Sequence, residues 1–507
     1  MTIAVPPLTT ARRVWPLQLA VGVLLALKLI FFLFAPPLGD EPYYWLWGQR
    51  LAWSYLDHPP LHAWLLALVS HLFGWNVLSL RALTWVTLAI TIWVIRQWST
   101  RLAPDNARLW FWTALAIYLA SPLFFVMGSL TFNDHLMVAM SLLSAHFFLG
   151  FAETWQAGDR RFGRLYIAAL FLGLALLSKY NAAFLAIAFL LFVLLQRDFR
   201  PLLRRPQVYL AVLLSAVIQA PVLYWNLTDG LASYRFHLSE RWGSGNQFDP
   251  LNLVLVLLIN IVPLSVFLVL PLLRLYQGRP TGFAGLMLPL ARILLALSSL
   301  TIMAIALFES EVPSYWNILA YPIALVLLVG VFRTRLFFWA HIVTGTALTC
   351  LFIANLALFP VRDLVGWWDN STYTNYDWPR IADIVQKAQQ AHPGTFLGAT
   401  RYTAAAELGF ALHSLDVTDI SDRHSEYSYW FDPAAHQGQD AILLAQDQLP
   451  FDFARQHFAS LELLQRIDIA RFGVVLGHFD LYLGHHYCSE SCGIPPVSAA
   501  PATVAPQ

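Results

Sequence analysis

The sequence predicts an all-α, polytopic membrane domain of about eleven transmembrane helices plus a juxtamembrane helix, followed by a small C-terminal α/β domain. Three observations carry this: the composition, a succession of long apolar runs, and the return of charge beyond residue 360. Of the 507 residues, 58% are hydrophobic and 12% are charged, with a mean hydropathy of +0.58. A soluble chain carries roughly 25% charged residues. One oversized soluble core is excluded too, because cores divide into domains beyond roughly 250–300 residues. The net charge of +1 offers no electrostatic footprint for nucleic acid, and no such partner is expected.

Taken in order, apolar runs of about spanning length fall at residues 15–36, 77–95, 109–127, 135–152, 165–178, 182–195, 208–227, 251–273, 286–308, 316–331 and 337–359. The pair around "LLSKYN" is shorter than usual. The piece 61–74 is shorter still and follows Pro59-Pro60, which predicts a helix on or dipping into the membrane surface. The first run is too long for a signal peptide, and no small-residue cleavage site follows it. The chain is expected to divide into a cytoplasmic N-terminus (1–14), a transmembrane domain (15–359) with a first external loop (38–76), an extracytoplasmic α/β domain (360–487) and a disordered tail (488–507).

In the C-terminal domain, "TFLGAT", "AILLAQ" and "FGVVLGHFDLYLG" read as strands. "WPRIADIVQKAQQAH" and "YTAAAELGFAL" read as helices. Cys350 lies in an apolar run and reads as a packing residue. Cys488 and Cys492 are expected to pair if their domain lies in an oxidising compartment.

Arginines fix the orientation. Alternate junctions hold Arg12 and Arg13; Arg96, Arg101 and Arg108; Arg160, Arg161 and Arg164; Arg197, Arg200, Arg204 and Arg205; Arg274 and Arg279; Arg333 and Arg335. The positive-inside rule puts these in the cytoplasm, and an odd number of spans then puts the C-terminal domain outside.

On that topology the outer side collects Asp40 and Glu41 after the first run, Asp57 and His58 before Pro59-Pro60, and Asp134 and His135 in "TFNDH". It also collects Lys179 in "LLSKYN", and Arg235, His237 and Arg241 in a longer loop. Singly, a carboxylate at a span end is an ordinary interfacial residue, and Trp45, Trp47 and Trp53 read as an aromatic belt. Lys28, inside the first run, reads as paired or snorkelling. Together the acidic groups, Lys179 and the two arginines exceed what an interface needs, because ionisable groups near membrane depth are costly.

The stretch "DEPYYWLWGQRLAWSYLDHPPLHAWL" resembles the first external loop of the GT-C-fold, polyprenyl-phosphate-sugar-dependent glycosyltransferases. These include protein O-mannosyltransferases, lipid A aminoarabinose transferases and lipopolysaccharide galacturonosyltransferases. Asp40-Glu41 matches the family's acidic pair, and "DHPPL" is similar to the element that follows it, with His58 where a Lys is common. "TFNDH" resembles the second acidic motif, which places Asp134; "GLALLSKYNAAFL" and "VPSYWNILAYP" also look familial. The likeness covers roughly residues 15–359.

The resemblance implies a hexosyl- or pentosyltransferase that takes a sugar from a polyprenyl-phosphate donor. The acceptor would be an envelope glycolipid, glycan or protein, at the periplasmic face of a bacterial inner membrane. Such a leaving phosphate departs as an anion without a general acid, so the enzyme supplies a base and cations. Asp40 is the expected base, with Glu41 as an orienting group and Asp134 as the second candidate. Lys179, Arg235 and Arg241 are expected to hold the phosphate. No cofactor is required; a divalent metal on Asp57, His58 and His237 is the alternative way to assist it. A transporter or flippase of a lipid-linked sugar is the competing class, although no repeated halves are visible.

Overall fold

The computed structural model describes residues 14–237, 248, 250–309, 312–332, 334–358, 372–446 and 452–492. The chain forms two compact units: Met1–Ala35 with Leu51–Ile353, and Pro36–Arg50 with Ala354–Gln507. The sequence reading assigned residues 38–50 to an external loop of the membrane domain; the structure groups them with the C-terminal residues instead.

In chain order the helices of the first 358 residues are α1 (Trp15–Phe34), α2 (Asp40–Gln49), α3 (Leu61–Phe73), α4 (Val77–Leu102), α5 (Ala107–Ala120), α6 (Pro122–Met127), α7 (Asn133–Gln156), α8 (Gly163–Leu176), α9 (Ala183–Leu195), α10 (Pro206–Ile218), α11 (Ala220–Thr228), α12 (Ala232–Arg235), α13 (Pro250–Leu264), α14 (Val266–Arg274), α15 (Gly282–Ala306), α16 (Pro322–Leu328) and α17 (Arg335–Ile353). All but α2 belong to the first unit.

Among the described residues, five helices are long and apolar enough to cross a membrane, or eight spans if each of three bent pairs counts once. The chain is an integral membrane protein, but the expected eleven are not all straight helices of spanning length. Proline is the main reason, since it removes a backbone donor and clashes with the preceding turn. The run 109–127 breaks at Ser121, where Pro122 opens α6. The run 251–273 turns by 95° between α13 and α14, just past Pro263. The run 316–331 becomes a 3₁₀ segment, Ser314–Ala320, followed by the seven residues of α16, which Pro322 opens. The short pair around "LLSKYN" is present as α8 and α9, of 14 and 13 residues. The expected short helix at 61–74 is α3, closed by Gly74.

Within this unit α7 is buried along most of its length. Lys28 is buried in α1 rather than snorkelling: its Nζ donates to the Gly128 carbonyl, to Thr84 Oγ1 (3.5 Å) and to Ser129 Oγ (3.3 Å). It also lies 5.3 Å from the Trp85 ring. Cys350 is exposed on α17, not packed inside as expected.

The second unit carries a five-stranded sheet in the order β2-β1-β3-β5-β4. Its strands are β1 (Phe396–Ala399), β2 (Val417–Asp419), β3 (Ala441–Gln446), β4 (Phe458–Arg471) and β5 (Val474–Tyr487). The first three are mutually parallel, and β5 runs antiparallel to both β3 and β4. Its further helices are α18 (Trp378–Ala391), α19 (Tyr402–Leu412), α20 (Tyr427–Trp430) and α21 (Asp452–Gln456). Trp378, Ile381, Ala382 and Val385 form the buried stripe of α18, the i, i+3, i+4, i+7 spacing of an amphipathic helix. The β4–β5 hairpin turns at Phe472-Gly473, both with positive φ, as a two-residue connection between right-twisted strands demands. Strands β1, β3 and β5 and helices α18 and α19 fall where the sequence placed them.

Cys488 and Cys492 form a disulfide. Their backbone N–H groups donate to the carbonyls of His457 (2.8 Å) and Gln456 (2.7 Å), so residues 488–492 are held against the domain. The rest of the expected tail, 493–507, lies outside the described residues.

Strand β2 ends on Asp419, whose Oδ2 accepts from Ser421 Oγ (2.9 Å) and Ser425 Oγ (3.3 Å). Burial pushes this carboxyl up to about 7, against the lowering pull of those hydroxyls and of Arg423. The folded state therefore holds a proton that the unfolded chain releases. The stability Asp419 allows at low pH is lost as pH rises through the carboxylate range toward about 7. Asp419→Asn should melt at a higher temperature than wild type, and the gap should widen from about pH 5 to about pH 8. A gap that stays constant across that range would contradict the assignment.

Candidate functional site

The acidic pair opens α2. The residue before it, Gly39, has φ +56°, a conformation glycine enters without strain and other residues do not. Asp40 and Glu41 then occupy the first helical turn, where the positive end of the helix dipole favours anions. Tyr402, the first residue of α19, donates its hydroxyl to Asp40 Oδ1 at 2.8 Å. Glu41 is fully buried, and its Oε2 accepts the Leu38 N–H at 3.1 Å. One carboxylate thus meets a side chain and the other closes the turn, as the roughly 100° step between successive helical residues allows.

Helix α2 is packed within its own unit by aromatic and backbone contacts. The Tyr43 ring lies 4.9 Å from that of Tyr402 and 6.0 Å from that of Tyr427, and its hydroxyl accepts the Glu426 N–H at 2.7 Å. Trp45 meets Phe410 edge-on at 5.8 Å. Gly409 of α19 admits the close approach, since a Cβ there would meet Leu46 Cδ1 at 3.4 Å and the Ser414 carbonyl at 3.0 Å. At the far end Arg50 donates to the Leu415 carbonyl (2.6 Å) and lies over Trp430 (5.0 Å). Trp45 and Trp47 are therefore core residues and not the aromatic belt expected; Trp53, 58% exposed, remains compatible with one.

In the first unit, Asp134 lies in the first turn of α7. Both its oxygens accept from Lys179 Nζ, at 2.8 and 2.7 Å, and both side chains are buried. Lys179 also lies 4.9 Å from the Tyr315 ring. The expected phosphate ligand and the expected second base are thus one buried ion pair.

Asp57 is buried, and its backbone carbonyl accepts from His237 Nε2 at 2.8 Å. The His58 ring stacks 6.4 Å from that of His237. The expected metal ligands therefore meet through a backbone oxygen and a ring face. Among the described residues, no three His, Cys, Asp or Glu gather as a metal would require. Arg235 is exposed at the end of α12, and Arg241 lies outside the described residues.

Sequence reasoning missed Tyr402 altogether, because nothing in "RYTAAAEL" marks a tyrosine as polar machinery. It also passed over a buried polar chain in the first unit. There His62 Nε2 meets Thr131 Oγ1 (3.3 Å), His135 Nδ1 meets Thr87 Oγ1 (3.0 Å), and the two imidazoles stand edge-to-face at 5.4 Å. Tyr315 was within reach, since "VPSYWN" had been singled out as a motif.

A carboxylate at a helix start can take a proton from a hydroxyl, and a guanidinium such as that of Arg235 suits an anion. The family described as dolichyl-phosphate-mannose-protein mannosyltransferase matches residues 57–225. The lipid A galacturonosyltransferase RgtD of Rhizobium johnstonii is 28% identical over 199 residues, 37% of this chain and 38% of that protein. The chain thus matches less than half the length of this relative. Among solved structures, ArnT of Cupriavidus metallidurans bound to undecaprenyl phosphate superposes with a TM-score of 0.62 at 16% identity, over 92% of this chain and 98% of that one. Its apo form gives 0.59, over 92% and 97%. The fold is that of ArnT, and the resemblance to the GT-C polyprenyl-phosphate-sugar glycosyltransferases is borne out.

The buried pair carries a prediction of its own. Lys179→Ala leaves the Asp134 carboxylate buried without its counter-charge, a loss of roughly 3–5 kcal/mol. It should lower the melting temperature of the detergent-solubilised protein sharply. The double change Asp134→Leu with Lys179→Met should recover much of that loss. A Lys179→Ala protein that melts like wild type would show that the pair is not structural.

Proposed function

We propose that this GT-C-fold membrane protein is an inverting glycosyltransferase. It moves a hexosyl or pentosyl group from a polyprenyl-phosphate donor to an envelope glycolipid, glycan or protein acceptor on the extracytoplasmic face of a bacterial inner membrane. The observation that carries this reading is the Asp40 carboxylate at the start of α2, fixed by the Tyr402 hydroxyl. Asp40 takes the proton of the acceptor hydroxyl as that oxygen attacks the anomeric carbon. The bond to the donor phosphate breaks from the opposite side, and its electron pair leaves with the phosphate. Glu41 keeps the first turn of α2 in place through the Leu38 N–H. Arg235 and Arg241 are suited by chemistry to the phosphate, whereas the charge of Lys179 is met by Asp134.

The relatives support the donor and acceptor classes: one is named for transfer to lipid A, and the ArnT structure holds undecaprenyl phosphate. Two observations support the orientation. The arginine-rich junctions alternate with arginine-poor ones through the sequence. The Cys488–Cys492 disulfide fits an oxidising compartment for the C-terminal domain.

The test is transfer from a labelled polyprenyl-phosphate sugar to extracted envelope glycolipid by the purified protein. Asp40→Asn should reduce turnover by roughly 100-fold to 10,000-fold, the usual worth of a positioned base, and leave donor-lipid binding nearly unchanged. Glu41→Gln should reduce it by a smaller factor. Near wild-type turnover by Asp40→Asn would remove Asp40 from the role. Sugar accumulation in sealed vesicles without transfer would replace the enzyme by a transporter.

A further inference from the structure

We propose that Tyr402 is a positioning residue for the Asp40 carboxylate, so that the C-terminal unit sets the geometry of the reaction through one hydroxyl. The inference rests on the transferase reading above. The fold explains why a tyrosine from a distant part of the sequence stands there. Strands β2, β1 and β3 are parallel and adjacent in that order, so the chain leaves β1 for one neighbour and reaches the other later. In open α/β sheets, functional groups gather at the carboxyl ends of the strands beside such a reversal. Tyr402 follows the carboxyl end of β1 by three residues and opens α19.

The ring of Tyr402 is buried and held on two sides. Tyr43 of α2 meets it at 4.9 Å, and the Arg423 guanidinium lies 3.9 Å from its centroid, a cation–π contact that fixes the ring plane. The hydroxyl so placed donates to Asp40 Oδ1. A donor on a carboxylate stabilises the ionised form and selects one rotamer. Both effects serve a general base, the first by keeping it deprotonated at lower pH and the second by aiming the accepting oxygen. The other ionisable groups on α2 and the elements packed against it include Glu41, Tyr43, Tyr44, Arg50, Glu407, Asp419, Arg423, Glu426 and Tyr427. They are common to wild type and a Tyr402→Phe variant, so a difference between the two reports on the hydroxyl.

The experiment is the pH profile of sugar transfer by the full-length protein, measured for wild type, Tyr402→Phe, Asp40→Asn and the double variant, each confirmed to melt cooperatively. Tyr402→Phe should lower kcat roughly 10-fold with an unchanged donor KM, and should move the acid limb up by about one pH unit. In the Asp40→Asn background the same change should have little further effect. An acid limb that does not move, or an equal fold-loss in both backgrounds, would reduce Tyr402 to a packing residue while leaving the transferase reading intact. A wild-type protein that transfers no sugar would overturn both.

Discussion

The chemistry proposed for this chain starts from the Asp40 carboxylate at the head of α2, which accepts from the Tyr402 hydroxyl. Two adjacent carboxylates at one helix start repel each other, and Glu41 is wholly buried. Each side chain of the pair has a donor at the positive end of the helix dipole: the Leu38 N–H on Glu41 Oε2 and the Tyr402 hydroxyl on Asp40 Oδ1. Tyr43, Trp45 and Trp47 are buried along the rest of the helix. The short helix after the first span is therefore a part of the C-terminal unit that the chain reaches before its time.

The membrane unit meets the same problem by other means. A buried ammonium or carboxylate is tolerated in a low dielectric only when it is paired or richly hydrogen-bonded. Lys28 takes a carbonyl and two hydroxyls, Lys179 takes both oxygens of Asp134, and the imidazoles of His62 and His135 each meet a threonine. Proline breaks leave α6, α14 and α16 as partial spans, and the side-chain amides of Asn252 and Asn317 meet polar groups near helix ends. Asn252 donates to the Ala306 carbonyl at 2.8 Å and Asn317 to the Tyr321 hydroxyl at 2.7 Å.

Much of this was legible in the sequence where periodicity or charge carried it. The stripe of α18, the apolar runs of β1, β3 and β5, and the prominence of Asp40-Glu41 were all visible. Strand β4 was not, because "FASLELLQRIDIAR" is an edge strand whose mixed exposure follows no clean alternation. Strand β2 has three residues and leaves no pattern. The partition of Lys179 with Asp134 could not be read, because a sequence shows which charges exist and not which ones neutralise each other. Trp45 and Trp47 misled for a related reason: an aromatic cluster after a span looks the same whether it faces lipid headgroups or a protein core. Tyr402 was beyond reach, since its role comes from a sheet topology that brings residue 402 to residue 40.

The central claim is that α2 belongs energetically to the C-terminal unit. Native-state hydrogen exchange tests it most directly, by following peptides from 40–49, 402–412 and the first unit's α4 and α7 as the solubilised protein is mildly destabilised. The account predicts that 40–49 and 402–412 lose protection together, at one denaturant concentration, separately from α4 and α7. Exchange of 40–49 in step with α4 and α7, or alone and ahead of both, would contradict it.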